Sequence, residues 1–526
     1  MKFFNTAGPV DCEEHYCLPP LSRFDLDDIL SLINQKKYFV LHAPRQTGKT
    51  SSMIALMHYL NKEGQYRALY TNIENAQAAR EQVQEGIRSV LISIANSLQY
   101  YLNDSYLVNS TSDILSQAGP YNALEAMLSL WTEYEQLPVV LILDEIDALV
   151  GDTLISVLRQ LRSGYAKRPH GFPTSIILCG VRDVRDYRIH SDREKSIITG
   201  GSAFNIKAES MRLGNFTEAE VSVLCNQHTS ETGQIFEACA RSCIWKLTRG
   251  QPWLVNALAY EACFKMKKGR DRATPVTLEM IIEAKEHLIQ RRETHLDQLT
   301  DKLKEERVIR VIEPILTGGK QPENVPEDDI WYAEDLGLIT TEGQLRIANP
   351  IYQEIIPRIL TYSTQLTISV EPAWYVLEDG SLSMEKLLTS FQQFFRENSE
   401  IWLERFMYRE AGPQLLLQAY LQRIVNGGGR IEREYGLGMG RTDLYLIWPL
   451  PGGIVQRIVI ECKILRGSRE KTIQAGMTQV LGYADTCGAD EVYLIVFDRT
   501  MGKLWDDKIF RDVREIGERK VLVWGM

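Results

Sequence analysis

A chain of 526 residues, 44% hydrophobic and 24% charged, is too long for one core and ordinary in composition, so about three globular domains are expected. Its 59 Lys and Arg against 69 Asp and Glu leave a net charge of −10, which excludes a general attraction to nucleic acid and confines any such surface to a local patch. The longest apolar run, Pro138–Leu143, is far too short to cross a bilayer, the opening "MKFFNTAGPVDCEEH" lacks a signal-peptide pattern, and nine cysteines without CxxC pairs or Cys/His ligand spacing suit a reducing cytoplasm.

In chain order, the stretch up to Glu209 alternates short apolar strands with longer helical patterns. Strands are expected at Tyr38–His42, Arg67–Asn72, Val139–Leu143 and Ser175–Gly180, with helices at Gln77–Leu102 and Ala123–Gln136 between them. That alternation predicts an α/β fold with a parallel sheet. From Asn215 apolar residues recur at helical spacing without strands, predicting a small helical lid in which Cys239 and Cys243 are buried thiols. Arg291–Ile315 is expected as a charged, solvated connecting helix. Residues 328–360 follow the order helix, Gly turn, short hairpin, helix, which predicts a winged helix. Thr361–Ser381 is the expected linker, and Met384–Asn426 is expected to be helical. Two strands around Pro451-Gly-Gly453 follow, then a helix at Thr472–Cys487 and a strand at Glu491–Asp498.

The strand ending at His42 runs into Ala43, Pro44, Arg45, Gln46, Thr47, Gly48, Lys49 and Thr50, with Ser51 in the helix beyond. This is a phosphate-binding loop in the strand–loop–helix setting that the motif needs. Backbone N–H groups and the helix N-terminus would cradle phosphates, Lys49 would reach their outer oxygens, and the Thr50 hydroxyl would ligate Mg2+. Ala43 stands where a glycine is usual. "LPVVLILDEIDAL" supplies the acidic partner: Asp144 for Mg2+ and Glu145 to polarise the attacking water. After the strand "TSIILCG", Arg182 and Arg185 are candidates for a phosphate sensor or a charge-stabilising finger, or are solvated loop residues.

The phosphate loop, the acidic "DEID" and "LTRGQPWLVNALA" together resemble the AAA-like ATPases of the archaeal-type and STAND branches. The resemblance spans about Phe24 to Leu360. It implies ATP as cofactor, a Gly250-Gln251-Pro252 turn in the lid that brings Pro252 to the nucleotide, a winged helix, and a homo-oligomer whose site a neighbour completes.

The C-terminal stretch "GRTDLYLIWPLPGGIVQRIVIECKIL" places Asp443, Glu461 and Lys463 on paired strands, with Glu461 and Lys463 on one face. Two carboxylates at one point repel unless a divalent cation lies between them, and oxygen ligands suit Mg2+ or Mn2+. The order Asp443, Glu461-x-Lys463 resembles the PD-(D/E)xK nuclease superfamily, although Thr442 stands where its proline is expected. The resemblance implies a metal held by Asp443 and Glu461, a helix glutamate for which Glu410 and Glu434 compete, and a role for Gln479. The other reading of these charges is a strand edge protected against pairing.

The expected architecture is a parallel-sheet ATPase core at 1–214, a helical lid at 215–290, a connecting helix and winged helix at 291–360, a linker at 361–381 and a restriction-endonuclease-like α/β domain at 382–526. The expected function is a cytoplasmic ATPase with a metal-dependent nuclease effector acting on nucleic acid, DNA favoured, in defence against foreign DNA. The alternative is a nucleotide-driven assembly switch whose C-terminal domain binds nucleic acid without cutting it.

Overall fold

The computed structural model describes the chain except residues 183–187, 191–196, 200–205, 292–298, 317–324, 344, 368–373, 406–411, 426–429, 438–439, 466, 501 and 517–518, and except the side chains of 188–190, 197–199, 361–367, 398–405, 423–425, 430, 432–437 and 440–443. Two compact units divide it: Met1–Arg291 with Pro326–Thr341, and Arg292–Val325 with Glu342–Met526.

In the first unit a short strand, β1 (Phe3–Phe4), pairs in parallel with β2 (His15–Tyr16). Then come α1 (Leu26–Asn34), β3 (Tyr38–His42), α2 (Lys49–Glu63), β4 (Arg67–Asn72), α3 (Val83–Leu102), α4 (Tyr106–Ala118), α5 (Ala123–Tyr134), β5 (Val139–Asp144), α6 (Gly151–Ser163), β6 (Ser175–Gly180) and β7 (Lys207–Arg212). The sheet runs β4-β5-β6-β3-β7, and every pair in it is parallel. Both faces are covered, which is why the inner strands read as unbroken apolar runs. Tyr38, Leu69, Leu141 and Leu178 pack with α3, α5 and α6. Phe39, Tyr70, Ile142 and Ile177 pack with α1 and α2. The helix expected from Gln77 begins at Val83, after a 3-10 turn at Glu74–Ala79.

The stretch expected as a helical lid, called the lid below, follows as α7 (Glu218–Thr232), α8 (Ala238–Thr248), α9 (Pro252–Tyr260) and α10 (Leu278–Arg291). Thr217 opens α7 with a reciprocal capping box: its hydroxyl accepts from Glu220 N–H, and the Glu220 carboxylate accepts from Thr217 N–H. The expectation that Cys239 and Cys243 are buried is corrected: Cys239 is exposed and Cys243 half-buried. In α8 the core-facing row is Ala240, Ile244 and Thr248, one position further along. Cys12 and Cys17 form a disulfide, a pairing that their spacing alone did not suggest.

The helix α11 (Glu306–Leu316) corrects the expected solvated connector, because Val308, Val311, Ile312 and Leu316 are buried. Their i, i+3, i+4, i+8 spacing makes an apolar stripe beneath the charges. The stretch expected as a winged helix has the order α12 (Glu327–Asp335), β8 (Ile339–Thr340), β9 (Arg346–Ile347), α13 (Pro350–Thr367). The unit boundary falls inside it, with α12 in the first unit and α13 in the second. Helix α13 runs on to Thr367, into the stretch expected as linker.

The second unit continues with α14 (Met384–Arg405), α15 (Gly412–Val425), β10 (Arg430–Leu437), β11 (Gly440–Pro449), β12 (Val455–Ile464), α16 (Arg469–Cys487), β13 (Glu491–Phe497), β14 (Phe510–Ile516) and β15 (Arg519–Gly525). Its sheet runs β10-β11-β12-β13-β15-β14, antiparallel except for the parallel pairs β12–β13 and β13–β15. Leu444, Ile458, Ile460 and Phe497 pack on the side of α14 and α15. Tyr445, Val459, Leu494 and Val523 pack on the side of α16.

Candidate functional site

The phosphate loop lies at the end of β3, and α2 starts at Lys49 behind Gly48, whose φ of 93° is left-handed. Gln46 is left-handed too, at φ 58°. Lys49 is buried, and its Nζ donates to the carbonyls of Ala43 at 2.8 Å and Pro44 at 3.0 Å. Its ammonium is thus held in the loop by groups that an incoming phosphate oxygen can replace. Ala43 closes the loop base by donating its N–H to Gly180 O at 3.2 Å.

Across the sheet, β5 ends in Asp144, which is fully buried. Thr50 Oγ1 and the Tyr70 hydroxyl both donate to Asp144 Oδ2 at 2.8 Å. A hydroxyl and a carboxylate at hydrogen-bond distance, at the start of a helix that presents its N–H groups, form a donor set that fits Mg2+. Glu145 follows at φ 60°, a strained conformation for a residue with a side chain. Burial, then the nearby Asp147 and Asp144, push its carboxyl up to about 7, against the pull of Lys49 and Arg45. Asp147 is fixed apart from it, accepting from Val181 N–H at 3.0 Å. Arg182 lies with its guanidinium 5.1 Å from the centre of the Tyr332 ring, on α12. Arg185 lies outside the described residues.

Beside Thr47, Gly48 and Ser51 opens a cavity of about 130 Å3, walled by the first residues of the chain and by the lid. Val10 N–H donates to Ser51 Oγ at 2.8 Å, and Trp253 Nε1 donates to Thr6 O at 2.9 Å, so residues 5–10 strap the lid to the loop. Pro252 lines this cavity. The turn before it needs glycine at 250: φ is +73°, and a Cβ there would lie 1.8 Å from Phe216 O. Gln251 caps α9 by accepting from Leu254 N–H at 2.6 Å. Arg23 donates to Thr47 O at 3.2 Å and lies over the Phe216 ring at 4.4 Å, tying loop to lid. Sequence reasoning missed the strap, Arg23 and Tyr70, because none of them belongs to a motif. Tyr70 meets Asp144 across 74 positions, a distance that no local pattern reports.

In the second unit, β11 pairs with β12 in the register Leu444↔Ile460 and Tyr445↔Val459. Tyr445 and Val459 pack toward α16, so alternation along β12 puts 461 and 463 on that face too. Glu461 is fully buried, and its Oε1 accepts from Lys463 Nζ at 2.7 Å. Lys463 Nζ also donates to Gln479 Oε1 at 2.7 Å, and Gln479 Nε2 donates to the Tyr483 hydroxyl at 3.3 Å. Glu461, Lys463 and Gln479 are therefore together. The side chains of Asp443 and Glu434 and the whole of Glu410 lie outside the described residues, among which no group of three or more His, Cys, Asp or Glu is gathered. The buried Glu461 carboxylate, aligned by the Lys463 ammonium, is an oxygen donor of the kind a divalent cation takes.

A family model described as an AAA-like domain matches residues 27–356. Among solved structures the chain is similar to the Walker-type ATPase of Pyrococcus abyssi, at 14% identity over 67% of this chain and 99% of that one, with a TM-score of 0.45. It is similar to the RuvB Holliday junction branch migration motor of Thermotoga maritima, at 12% identity over 63% and 95%, with a TM-score of 0.32. It is also similar to a chain of Drosophila ORC bound to DNA, at 12% identity over 73% and 80%, with a TM-score of 0.33. No curated protein matches. Among the described residues no helix is long and apolar enough to cross a membrane.

Proposed function

The chain belongs to the AAA-like domain family, and from that premise we propose that it binds and hydrolyses ATP and that its C-terminal α/β domain is a metal-dependent nuclease acting on DNA. The observation that carries the nuclease half is the cluster in which Lys463 Nζ joins Glu461 and Gln479 at 2.7 Å each. The domain limits at 214, 290, 360 and 381 belong to the same proposal, as do a homo-oligomeric state and a role in defence against foreign DNA.

For the ATPase, Lys49 exchanges its loop carbonyls for the outer phosphate oxygens, and the N–H groups at the start of α2 hold the rest of the chain of phosphates. Thr50 and Asp144 would hold Mg2+, which when bound supplies charge to the phosphate oxygens. Glu145, when ionised, takes the proton of the attacking water. Tyr70 and Thr50 keep the Asp144 carboxylate aimed. For the nuclease, Asp443 and Glu461 would hold Mg2+ or Mn2+, which when bound supplies charge to the scissile phosphate and acidifies a water. Lys463, kept in place by Glu461 and Gln479, presents an ammonium to the developing oxyanion.

The test is supercoiled plasmid with Mg2+ or Mn2+, with and without ATP, for the natural chain, Glu461→Ala and Lys49→Ala. Cleavage is expected from the natural chain and a fall of at least about a hundredfold in Glu461→Ala. In Lys49→Ala the response to ATP is expected to vanish. Plasmid that is bound but never cut under any condition favours a non-cleaving switch and removes the nuclease reading.

A further inference from the structure

Strand β14 forms one edge of the six-stranded sheet in the second unit, and among the described residues β15 is its only strand partner. Met526 N–H donates to Val496 O at 2.9 Å, toward β13. Backbone groups turn to alternate sides along a strand, so Val521 and Val523 face β14, where Arg514 and Asp512 answer them in register. Arg511, Val513 and Glu515 therefore turn their N–H and C=O groups away from the sheet. Val513 N–H accordingly donates to a side chain, Asp512 Oδ1 at 2.9 Å.

Such an edge is a template for another strand, and proteins guard against that with charges, proline or bulges. Here the middle of the edge is Val513, 53% exposed, and Ile516 at its end is 52% exposed. The charges around Val513 are arranged for pairing rather than against it. Across an antiparallel copy centred on Val513, Arg511 stands opposite Glu515, Asp512 opposite Arg514, and Phe510 opposite Ile516. Opposite charges facing each other across a ladder attract, and like charges repel. Centring the pair on Arg511 or Glu515, the other residues with outward backbone groups, sets that charge against itself. Arg511 lies over the Trp524 ring at 4.2 Å on the α14 side, while Phe510 packs on the α16 side. The Arg511–Glu515 pairs thus fall on one face and the Asp512–Arg514 pairs on the other.

We propose that β14 is a self-pairing edge: two copies of this chain join by antiparallel addition about Val513, with Arg511, Val513 and Glu515 exchanging backbone hydrogen bonds. The contact uses the same strand on both copies, so it closes at a dimer and leaves no β14 edge free. It goes beyond the homo-oligomer proposed above, in which a neighbour completes the nucleotide site, and depends on neither nucleotide nor cleavage.

The experiment is sedimentation equilibrium of the full chain, without nucleotide and again with ATP and Mg2+. It compares the natural protein with Arg511→Glu, Glu515→Arg, the double variant carrying both, Val513→Pro and Lys49→Ala. The natural chain is expected to dimerise without nucleotide. Each single reversal sets like charges opposite one another and is expected to raise the dissociation constant by about tenfold or more. The double variant is expected to return it to within about threefold of the natural value. Within one copy Arg511 meets Glu385 at 3.4 Å and Glu515 meets Lys520 at 3.3 Å. The double variant breaks both of those pairs, so its recovery does not come from stability of the single chain. Val513→Pro removes an N–H that β15 does not use and is expected to give folded monomer. A natural chain that stays monomeric, single reversals that dimerise like it, or a double variant that stays apart overturns the proposal. Assembly that needs ATP, is lost in Lys49→Ala and ignores every β14 variant also overturns it, while the homo-oligomer at the nucleotide site stands.

Discussion

Glu145 bears two costs of its position: a left-handed backbone at φ 60° and a carboxyl that burial, with Asp147 and Asp144, raises from 4.5 to about 7. Because the folded value lies above the unfolded one, the folded chain binds the proton more tightly. The stability from that proton is complete below about 4.5 and is lost as pH rises through about 7. Glu145→Gln removes the ionisation and keeps the shape. Its melting temperature is therefore expected to match the natural chain near the lower limit and to exceed it at pH about 8 by a few degrees, about 1–2 kcal/mol after solvent screening. Thermal unfolding at both values checks this, and an equal offset at the two would show that the carboxylate is not the cause. ATP turnover in the same variant is expected to fall by about a hundredfold or more with ATP still bound. Thr50 and Asp144 were legible as a pair because strand–loop–helix and strand–acid motifs specify them. Tyr70 and Arg23 were not, since each gains its role from residues brought near only by the fold.

At the scale of elements, Gly250 shows how a turn that reads as a simple helix start carries a steric demand. Its Cα has no room for a side chain: the carbonyl oxygen of Phe216 lies 1.8 Å from where a Cβ would sit, and φ is +73°. Phe216 N–H in turn donates to Gly250 O at 2.8 Å, so the two backbones cannot separate cheaply. Gly250→Ala is expected to lower stability by about 2–3 kcal/mol or more and to weaken ATP binding, because Pro252 and Trp253 shift with the turn. Unfolding in denaturant measures the first effect and nucleotide titration the second; an unperturbed midpoint would remove the steric account. The parallel strands were readable from apolar runs that lie buried on both faces, as in β5. The strap at residues 5–10 was not, because its fixing bonds run to Ser51 and Trp253 and leave no period in the sequence. Helix α11 lay between: its charges are evident, and its buried stripe of Val308, Val311 and Ile312 needs the helical period counted through them.

For the whole molecule, the pattern of local elements did not reveal which parts share a core. Helix α12 was expected to belong with the helix that follows it, yet it lies in the first unit. There Asp335 Oδ1 meets His42 Nδ1 at 3.3 Å, and Arg212 donates to Glu334 O at 2.9 Å. Those contacts join positions far apart in the chain, which hydrophobic patterning cannot foretell. Each unit does have its own pair of apolar layers, around the β4-β5-β6-β3-β7 sheet in one and the β10-β11-β12-β13-β15-β14 sheet in the other. Separate cores imply separate cooperative transitions. The residues proposed to serve the nucleotide, Lys49, Thr50, Asp144 and Glu145, all lie in the first unit, while Glu461, Lys463 and Gln479 lie in the second. Calorimetry of the full chain is therefore expected to show two transitions, with ATP and Mg2+ raising one. At a hundredfold excess over the dissociation constant the gain is about 2.7 kcal/mol. Lys49→Ala is expected to abolish that shift. Glu461→Ala is expected to leave it intact while altering the other transition, since removing one partner frees the Lys463 ammonium from a buried carboxylate. A single transition that ATP moves as a whole would mean that the two cores unfold together, and nucleotide binding would then be felt at Glu461 through stability alone.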